Sequence, residues 1–169
     1  MSVPYRQLPC GAVQNVLIAT LAFVLMEPFT YCAHRWVMHG LAKFLHESHH
    51  RNAARAVPAL LEANDFFPVI LAAGVNILLA LGFNQPSLGA LVPTCVGITA
   101  YGFAYFIVHD VYIHRRLRLF GNKKVALLER LAVAHRRHHQ FNGEPYGMLL
   151  PITGQRASGS IPSHVPAES

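Results

Sequence analysis

Three long apolar stretches alternate with two polar segments along the chain. The apolar stretches cover residues 13–32, 66–83 and 88–108. A helix needs about 20 apolar residues to cross the hydrocarbon core of a bilayer, and the second stretch is at the short limit of that length. The pattern therefore predicts an all-α, multi-pass integral membrane helical protein with three spans, or four if a further segment also crosses.

The connections between these stretches set the order of the predicted helices. The first stretch lacks an A-x-A-like cleavage site and runs directly into polar sequence, which is typical of a permanent anchor rather than a signal peptide. Residues 84–87 are a tight turn that would join the second and third spans as a hairpin. Residues 51–59 are predicted to be a loop, and residues 123–139 an amphipathic helix on the membrane surface.

Small and aromatic residues stand out in the third span. Gly97 and Gly102 either let neighbouring helices approach closely or leave room for a long ligand, and we favour the first interpretation. Tyr101 and Tyr105 lie four residues apart on one helical face, where they either pack against other helices or face a substrate.

The composition also indicates a membrane protein. The 169 residues are 53% hydrophobic and 13% charged, with a mean hydropathy of +0.31. A chain of this length has room for one domain, which we expect over residues 1–152, and the Gly-, Ser- and Pro-rich residues 153–169 are expected to be a disordered tail. The three cysteines form no C-x-x-C pair, which argues against an iron–sulfur cluster or a cysteine-based zinc site.

The basic residues predict an orientation in the membrane. Of the 14 Lys and Arg residues, 12 lie in the two polar segments and none lies in the turn at 84–87. The positive-inside rule then places both polar segments on the cytoplasmic face, and we expect a bacterial inner membrane. Topology and lipid contact account for the net charge of +6, so nucleic acid is not an expected partner.

The two polar segments carry the candidate chemistry, because each contains one H-x4-H and one H-x2-H-H motif. Ten of the eleven histidines belong to these motifs, and only His164 lies outside. Neutral imidazole is a good ligand for iron, zinc and copper, and ten imidazoles suffice for two ions with four or five nitrogens each. The symmetry predicts two similar half-sites that close on one metal centre. The predicted ligands are His34, His39, His46, His49, His50, His109, His114, His135, His138 and His139.

The spacing within the motifs makes further predictions. His34 and His39 are five residues apart, which is about 140° around an α-helix, so they either flank one metal from two sides or lie on either side of a helix end near Gly40. In the H-x2-H-H motifs, by contrast, all three histidines fall on one helical face.

Four polar residues are candidates for orienting ligands or managing protons. Glu27 lies two helical turns before His34; it is either a functional group inside a span or close enough to the interface to be solvated. Asp110 follows a predicted ligand directly and is a candidate to orient it. Asn64 and Asp65, with Glu62, precede the second span, where we favour Asp65 as the N-cap of a helix starting at Phe66 over a role near the metal.

Several motifs together resemble those of a known family. They are HRWVMHG, FLHESHH, LLEANDFF, ITAYGFAYFIVHD and FNGEPYGMLL, within residues 20–152. In this combination and order they resemble the β-carotene hydroxylases of the membrane fatty-acid hydroxylase and sterol desaturase superfamily. The resemblance implies that the ten motif histidines bind two iron ions, with O2 as co-substrate. Because imidazole binds both metals, zinc is an alternative to iron in purified samples.

The resemblance also implies a reaction and partners. It implies hydroxylation of the β-ionone rings of β-carotene at carbon 3, through β-cryptoxanthin to zeaxanthin, with electrons from a ferredoxin and its reductase. Val111 and Ile113 replace the glycine and valine of the family's H-D-G-x-V-H, and Leu117 stands where an aromatic residue is common. These departures put the substrate preference in question more than the metal site.

Other functions predict different features. A fatty-acid or sterol hydroxylase or desaturase would share the histidine set but not the surrounding YGFAYFIVHD and ESHH motifs. A His-rich zinc-binding or transport protein should carry its ligands at mid-membrane, whereas these lie at the ends of spans. A b-type cytochrome would pair single histidines on facing helices, unlike the adjacent pairs found here.

Overall fold

The fold is built from helices throughout the described part of the chain. The computed structural model describes residues 10–53, 59–121 and 123–150, and these contain no strand, so the predicted all-α class is confirmed. Five α-helices are joined by two π-helical segments, at Ala33–Leu41 and Ile107–Ile113, and by two short 3-10 turns, at Ala63–Asp65 and Pro86–Leu88. The α-helices are α1 (Cys10–Cys32), α2 (Lys43–Ala53), α3 (Phe66–Asn84), α4 (Leu91–Phe106) and α5 (Ala126–Phe141).

Three continuous helical stretches are long and apolar enough to cross a membrane. They cover Gly11–Leu41, Ala63–Asn84 and Leu91–Ile113, which confirms the three predicted spans; within the described ranges there is no fourth. Large apolar side chains such as Leu17 on α1 and Ile77 on α3 are more than half exposed, as expected for helices that face lipid.

The third span is the centre of the bundle, because α4 packs against both α1 and α3. Gly97 makes the contact with α1 possible: a Cβ atom there would collide with the backbone oxygen of Ala19 and lie 2.8 Å from the Cβ of Ala22. A Cβ on Gly102 would meet nothing within 4 Å, and this residue is exposed. The predicted role in close helix approach therefore holds for Gly97 and is wrong for Gly102.

The first and third spans both change from α-helix to π-helix at the same end of the bundle. In a π-helix the backbone hydrogen bond joins residues five apart, as where the His114 N–H donates to the His109 oxygen at 2.9 Å. Two residues five apart then face the same side. The α-helical angle of 140° predicted for H-x4-H was therefore wrong. The first π-helical segment ends at Leu41, next to Gly40, so the alternative of a helix end between His34 and His39 was wrong as well.

The connecting segments differ from the predictions mainly at their ends. Helix α2 extends to Ala53, so the loop predicted from residue 51 begins later, and residues 54–58 lie outside the described residues. Helix α5 begins at Ala126 instead of residue 123, and it ends where Asn142 adopts a left-handed conformation with φ of +52°. The tail predicted over residues 153–169 lies outside the described residues, so that prediction stays untested.

Candidate metal centre

The ten motif histidines come together at one end of the spans, in two groups. Within each group the candidate ligand atoms lie within 4.8 Å of one another. We call the first set group A: His34, His39, His46, His50 and His138. We call the second set group B: His49, His109, His114 and His135. The remaining motif residue, His139, lies beside group B, with its Nε2 atom 2.8 Å from Nε2 of His135.

The two groups do not correspond to the two sequence segments. Group A receives His138 from α5, whereas group B receives His49 from α2. Successive residues on an α-helix differ in direction by about 100°, so adjacent histidines point to different sides. The predicted pair of half-sites, one from each segment, is thus corrected to two interleaved groups, and the three histidines of each H-x2-H-H motif do not serve one site.

Within the groups, the Nε2 atoms of the imidazoles converge. Each of the ten motif histidines takes part in at least one of six Nε2–Nε2 contacts, whose distances lie between 2.8 and 3.2 Å. Two ligand nitrogens at right angles about a metal, each about 2.1 Å from it, would be about 3 Å apart. The spacing of these atoms therefore fits nitrogen ligands that share an ion.

The opposite ring nitrogen, Nδ1, is hydrogen bonded to an oxygen atom in five of the histidines. Carbonyl and carboxylate oxygens only accept hydrogen bonds, so these Nδ1 atoms carry the proton and leave a lone pair on Nε2. Facing lone pairs repel unless a cation lies between them, which supports metal binding. The five contacts are His34 to Tyr146 O (2.9 Å), His46 to Asn64 Oδ1 (2.7 Å), His49 to Glu62 Oε2 (2.8 Å), His109 to Asp110 Oδ2 (3.3 Å) and His138 to Gly143 O (2.6 Å).

The surroundings keep the imidazoles outside the spans uncharged. Burial, followed by the nearby imidazoles, lowers the pKa of His50 to about 3 and that of His114 to about 2. Burial also lowers the pKa of His46 to about 3. These side chains are therefore neutral at pH 7 before a metal binds, and neutral imidazole is the form that coordinates metal ions.

A buried network of charges supports group B. Arg116, whose side chain is 9% exposed, forms ion pairs with Glu62 at 2.8 Å, Asp65 at 2.7 Å and Asp110 at 3.1 Å. Burial alone would raise the pKa of Glu62, but the hydrogen bond from His49 and the charge of Arg116 outweigh it, and this pKa is below its usual value. Glu62 is therefore a carboxylate at neutral pH.

The predicted orienting residues have different roles in the structure. Asn64 and Asp110 each contact a predicted ligand, His46 and His109 respectively. Asp65 accepts hydrogen bonds from the Glu62 N–H and from Arg116. Helix α3 begins at Phe66 with Asp65 at its N-cap position, as predicted, but the Asp65 side chain makes no capping hydrogen bond to α3. It forms a capping box with Glu62 on the preceding 3-10 turn instead.

Glu27 is buried in the membrane-spanning part, with 8% of its surface exposed, so the solvated alternative was wrong. Its carboxylate accepts hydrogen bonds from the Tyr101 hydroxyl at 2.6 Å and from the N–H groups of Met148 and Leu150 at 2.9 and 3.0 Å. It thus holds the segment that follows α5, which supplies the Tyr146 oxygen to His34. Tyr101 packs inside the protein, as one of the two alternatives expected, while the Tyr105 ring lies 4.9 Å from that of His109.

Several supporting residues were not predicted. The sequence predicts no role for Arg116 beyond being one of the basic residues of the second polar segment. It places Glu62 beside Asn64 but indicates no partner for it. The carboxylate–asparagine–aspartate order in LLEANDFF was the available signal for Glu62. Gly143 and Tyr146 act through backbone oxygens, for which no side-chain pattern gives a signal.

Comparison with known proteins agrees with the motifs. The family model described as fatty acid hydroxylase matches residues 19–156. The chain belongs to the fatty acid hydroxylase family. No solved structure matches the chain significantly.

Among its relatives are proteins named β-carotene hydroxylase, which confirms the resemblance seen in the motifs. The chain is 36% identical to chloroplastic β-carotene hydroxylase 1 of Capsicum annuum over 88% of its own length and 46% of that protein. It is 36% identical to the Pseudescherichia vulneris β-carotene hydroxylase, over 76% of the chain and 70% of that protein. Identity to the Paracoccus sp. β-carotene hydroxylase is 33%, over 78% of each chain. The chain therefore spans less than half of the plant relative but most of the two bacterial ones.

Proposed function

We propose that this protein is a non-haem di-iron monooxygenase that hydroxylates the β-ionone rings of β-carotene at carbon 3, giving β-cryptoxanthin and zeaxanthin. The observation that carries the proposal is the similarity to two bacterial β-carotene hydroxylases over 70% and 78% of their length. The two groups of converging imidazoles supply the metal ligands that such a reaction needs.

In this proposal the protein's own residues position the metal ions. The ten motif histidines hold two iron ions, and bound iron supplies the activation of O2 toward a C–H bond. Asn64, Glu62 and Asp110 accept hydrogen bonds from the Nδ1–H groups and thereby fix which nitrogen faces the ion. Because imidazole also binds zinc, zinc can replace iron in a purified sample.

The position of the histidine groups suits a substrate dissolved in the membrane. Both groups lie where the apolar spans end, so one side borders lipid and the other borders water. We propose that carotenoid reaches the centre from the lipid, with the Tyr105 ring beside His109 as a wall of the site. Ferredoxin and its reductase would deliver electrons from the cytoplasm, with the protein in a bacterial inner membrane and the basic segments inside.

A fatty-acid or sterol hydroxylase or desaturase is the second candidate function. The description of the matching family model favours it, since it names fatty acids. The named relatives favour a carotenoid instead. A His-rich zinc transport protein fits less well, because the described histidines gather at one end of the spans and not at mid-membrane.

Pigment analysis tests the proposal directly. The chain would be expressed in a bacterium that accumulates β-carotene, and the extracted carotenoids would be identified by mass and retention time. We expect products with one and two added oxygen atoms, and their loss in His138→Ala. Gln140→Ala, on the exposed side of the same helix, is the matched control and should leave the products unchanged.

The proposal would be contradicted by unchanged β-carotene in cells that contain the protein. A bacterial β-carotene hydroxylase expressed in the same strain must be active for this result to count. Analysis of fatty acids and sterols from the same cells would then test the second candidate.

A further inference from the structure

The two histidine groups differ in the oxygen atoms that hold their imidazoles. In group A the three Nδ1 atoms with partners donate to uncharged oxygens, the backbone carbonyls of Tyr146 and Gly143 and the side-chain amide of Asn64. In group B the Nδ1 atoms of His49 and His109 donate to carboxylates, those of Glu62 and Asp110 respectively.

The charges around the groups differ in the same direction. Three carboxylates, Glu62, Asp65 and Asp110, contact the single guanidinium of Arg116, so this cluster beside group B has a formal net charge of −2. Beside group A, Glu144 is paired with Arg35 at 3.1 Å, and these two charges cancel. The charged cluster beside group B is therefore more negative than the ion pair beside group A.

Both differences strengthen metal binding at group B. A carboxylate that accepts a hydrogen bond from the Nδ1–H group makes the Nε2 atom more basic and holds the ring in place. The Glu62 side chain is 5% exposed and that of Asp110 is 15% exposed, so solvent screens their charge weakly. Ligand number alone would favour group A, which has five imidazoles. Group B has four, with His139 beside it.

We propose that the two metal positions are inequivalent, and that group B binds its ion more tightly than group A because Glu62 and Asp110, supported by Arg116, act as charged positioning residues. The inference rests on the proposed function only in assuming that both groups bind an ion. It makes no use of the substrate, so it stands or falls independently of the carotenoid assignment.

Release of zinc from the loaded full-length protein tests the proposal. Protein reconstituted with zinc in both groups would be mixed with a chromogenic chelator, and release would be followed by absorbance. We expect two phases of equal amplitude. His39→Ala removes a group A ligand and should abolish the fast phase, whereas His114→Ala removes a group B ligand and should abolish the slow phase.

Charge removal at Glu62 then tests the cause. Glu62→Gln keeps an oxygen that accepts the hydrogen bond from His49 but removes the negative charge. It should accelerate the slow phase about 10- to 100-fold while leaving the fast phase unchanged. Glu47→Gln is the matched control on α2, since its exposed side chain forms an ion pair with Arg51 at 4.0 Å. If Glu62→Gln does not fold, Asp110→Asn makes the same test through His109.

Four results would overturn the inference. The first is release of both ions in one phase. The second is survival of the slow phase in His114→Ala but not in His39→Ala. The third is a Glu62→Gln protein whose release matches that of Glu47→Gln. A general loss of stability would accelerate both phases and would also count against it. Hydroxylated carotenoids with single-phase release would reject this inference alone, and two-phase release without hydroxylation would reject only the proposed function.

Discussion

Adjacent histidines in the chain serve different groups. His49 lies in group B and His50 in group A, although both are on α2. On α5, His138 lies in group A while His139 lies beside His135 of group B. The angle of about 100° between successive helical residues produces this division, and it lets two short motifs contribute to both sites.

Single substitutions in one adjacent pair should therefore remove different ions. We expect His49→Ala and His50→Ala each to lower the metal content to about half of that in the unaltered protein, because each deletes a ligand from one group only. Elemental analysis of the purified proteins measures this. In the double variant the content should approach zero, and loss of both ions in either single variant would contradict the division.

Glu27 shows how one buried carboxylate can organise neighbouring backbone. Its oxygens accept hydrogen bonds from Tyr101 on α4 and from N–H groups of Met148, Leu149 and Leu150. Gly147 allows this approach, since a Cβ atom there would lie 2.9 Å from Glu27 Oε1.

Truncation of Glu27 should destabilise the protein without touching a metal ligand. Glu27→Ala leaves a hydroxyl and several N–H groups buried without acceptors, at a cost of about 2 kcal/mol or more. We expect a lower midpoint of thermal unfolding in detergent, compared with Thr20→Ala, an exposed position on the same helix. An unchanged midpoint would show that the segment following α5 does not depend on this carboxylate.

At the scale of whole elements, the change from α- to π-helix converts an unfavourable spacing into a usable one. An α-helix would turn His34 and His39 about 140° apart, but in the π-helical segment their ring centres are 5.0 Å apart. The corresponding distance for His109 and His114 is 4.6 Å. In both H-x4-H motifs, π-helical backbone at the end of a span thus brings the two imidazoles together.

Helix packing at the element scale can be tested with two glycines of α4. Gly97→Val should destabilise the protein by about 1–3 kcal/mol, because the side chain would collide with the backbone of α1. Gly102→Ala has open space and should be neutral or stabilising by up to about 1 kcal/mol. Thermal unfolding of both variants compares the two positions. Equal destabilisation would contradict the packing shown here.

On the scale of the whole molecule, the histidine groups connect segments that are distant in the sequence. Group A joins the first π-helical segment, α2 and α5, while group B joins α2, the second π-helical segment and α5. Bound metal would therefore cross-link the two π-helical segments, α2 and α5, and it would stabilise the folded state in proportion to the binding free energy.

Removal of metal should loosen that end selectively. We expect a chelator to lower the midpoint of thermal unfolding and to accelerate hydrogen exchange in α2 and α5, with little change in the apolar helix α3. Exchange followed by mass spectrometry on loaded and stripped protein measures this, and re-addition of metal should reverse it. Uniform acceleration across α3 and α5 would contradict a local role for the metal groups.

The general architecture was predictable from the sequence, and the reason is physical. A lipid-exposed backbone must satisfy its hydrogen bonds within a helix, so apolar stretches of sufficient length determine the spans. The repeated spacing of ten histidines likewise identified the candidate ligands before any contact was known. Both conclusions depend on patterns that are local in the chain.

Tertiary structure decided how those residues are combined. The division of His49 and His50 between two groups, the π-helical geometry of His34 and His39, and the burial of Glu27 depend on which elements pack together. Arg116 acquires its role only because folding brings Glu62 and Asp65, which are distant in the chain, to the guanidinium that also contacts the nearby Asp110. Charge, direction and burial at this end of the protein are consequences of long-range packing, which spacing along the chain does not encode.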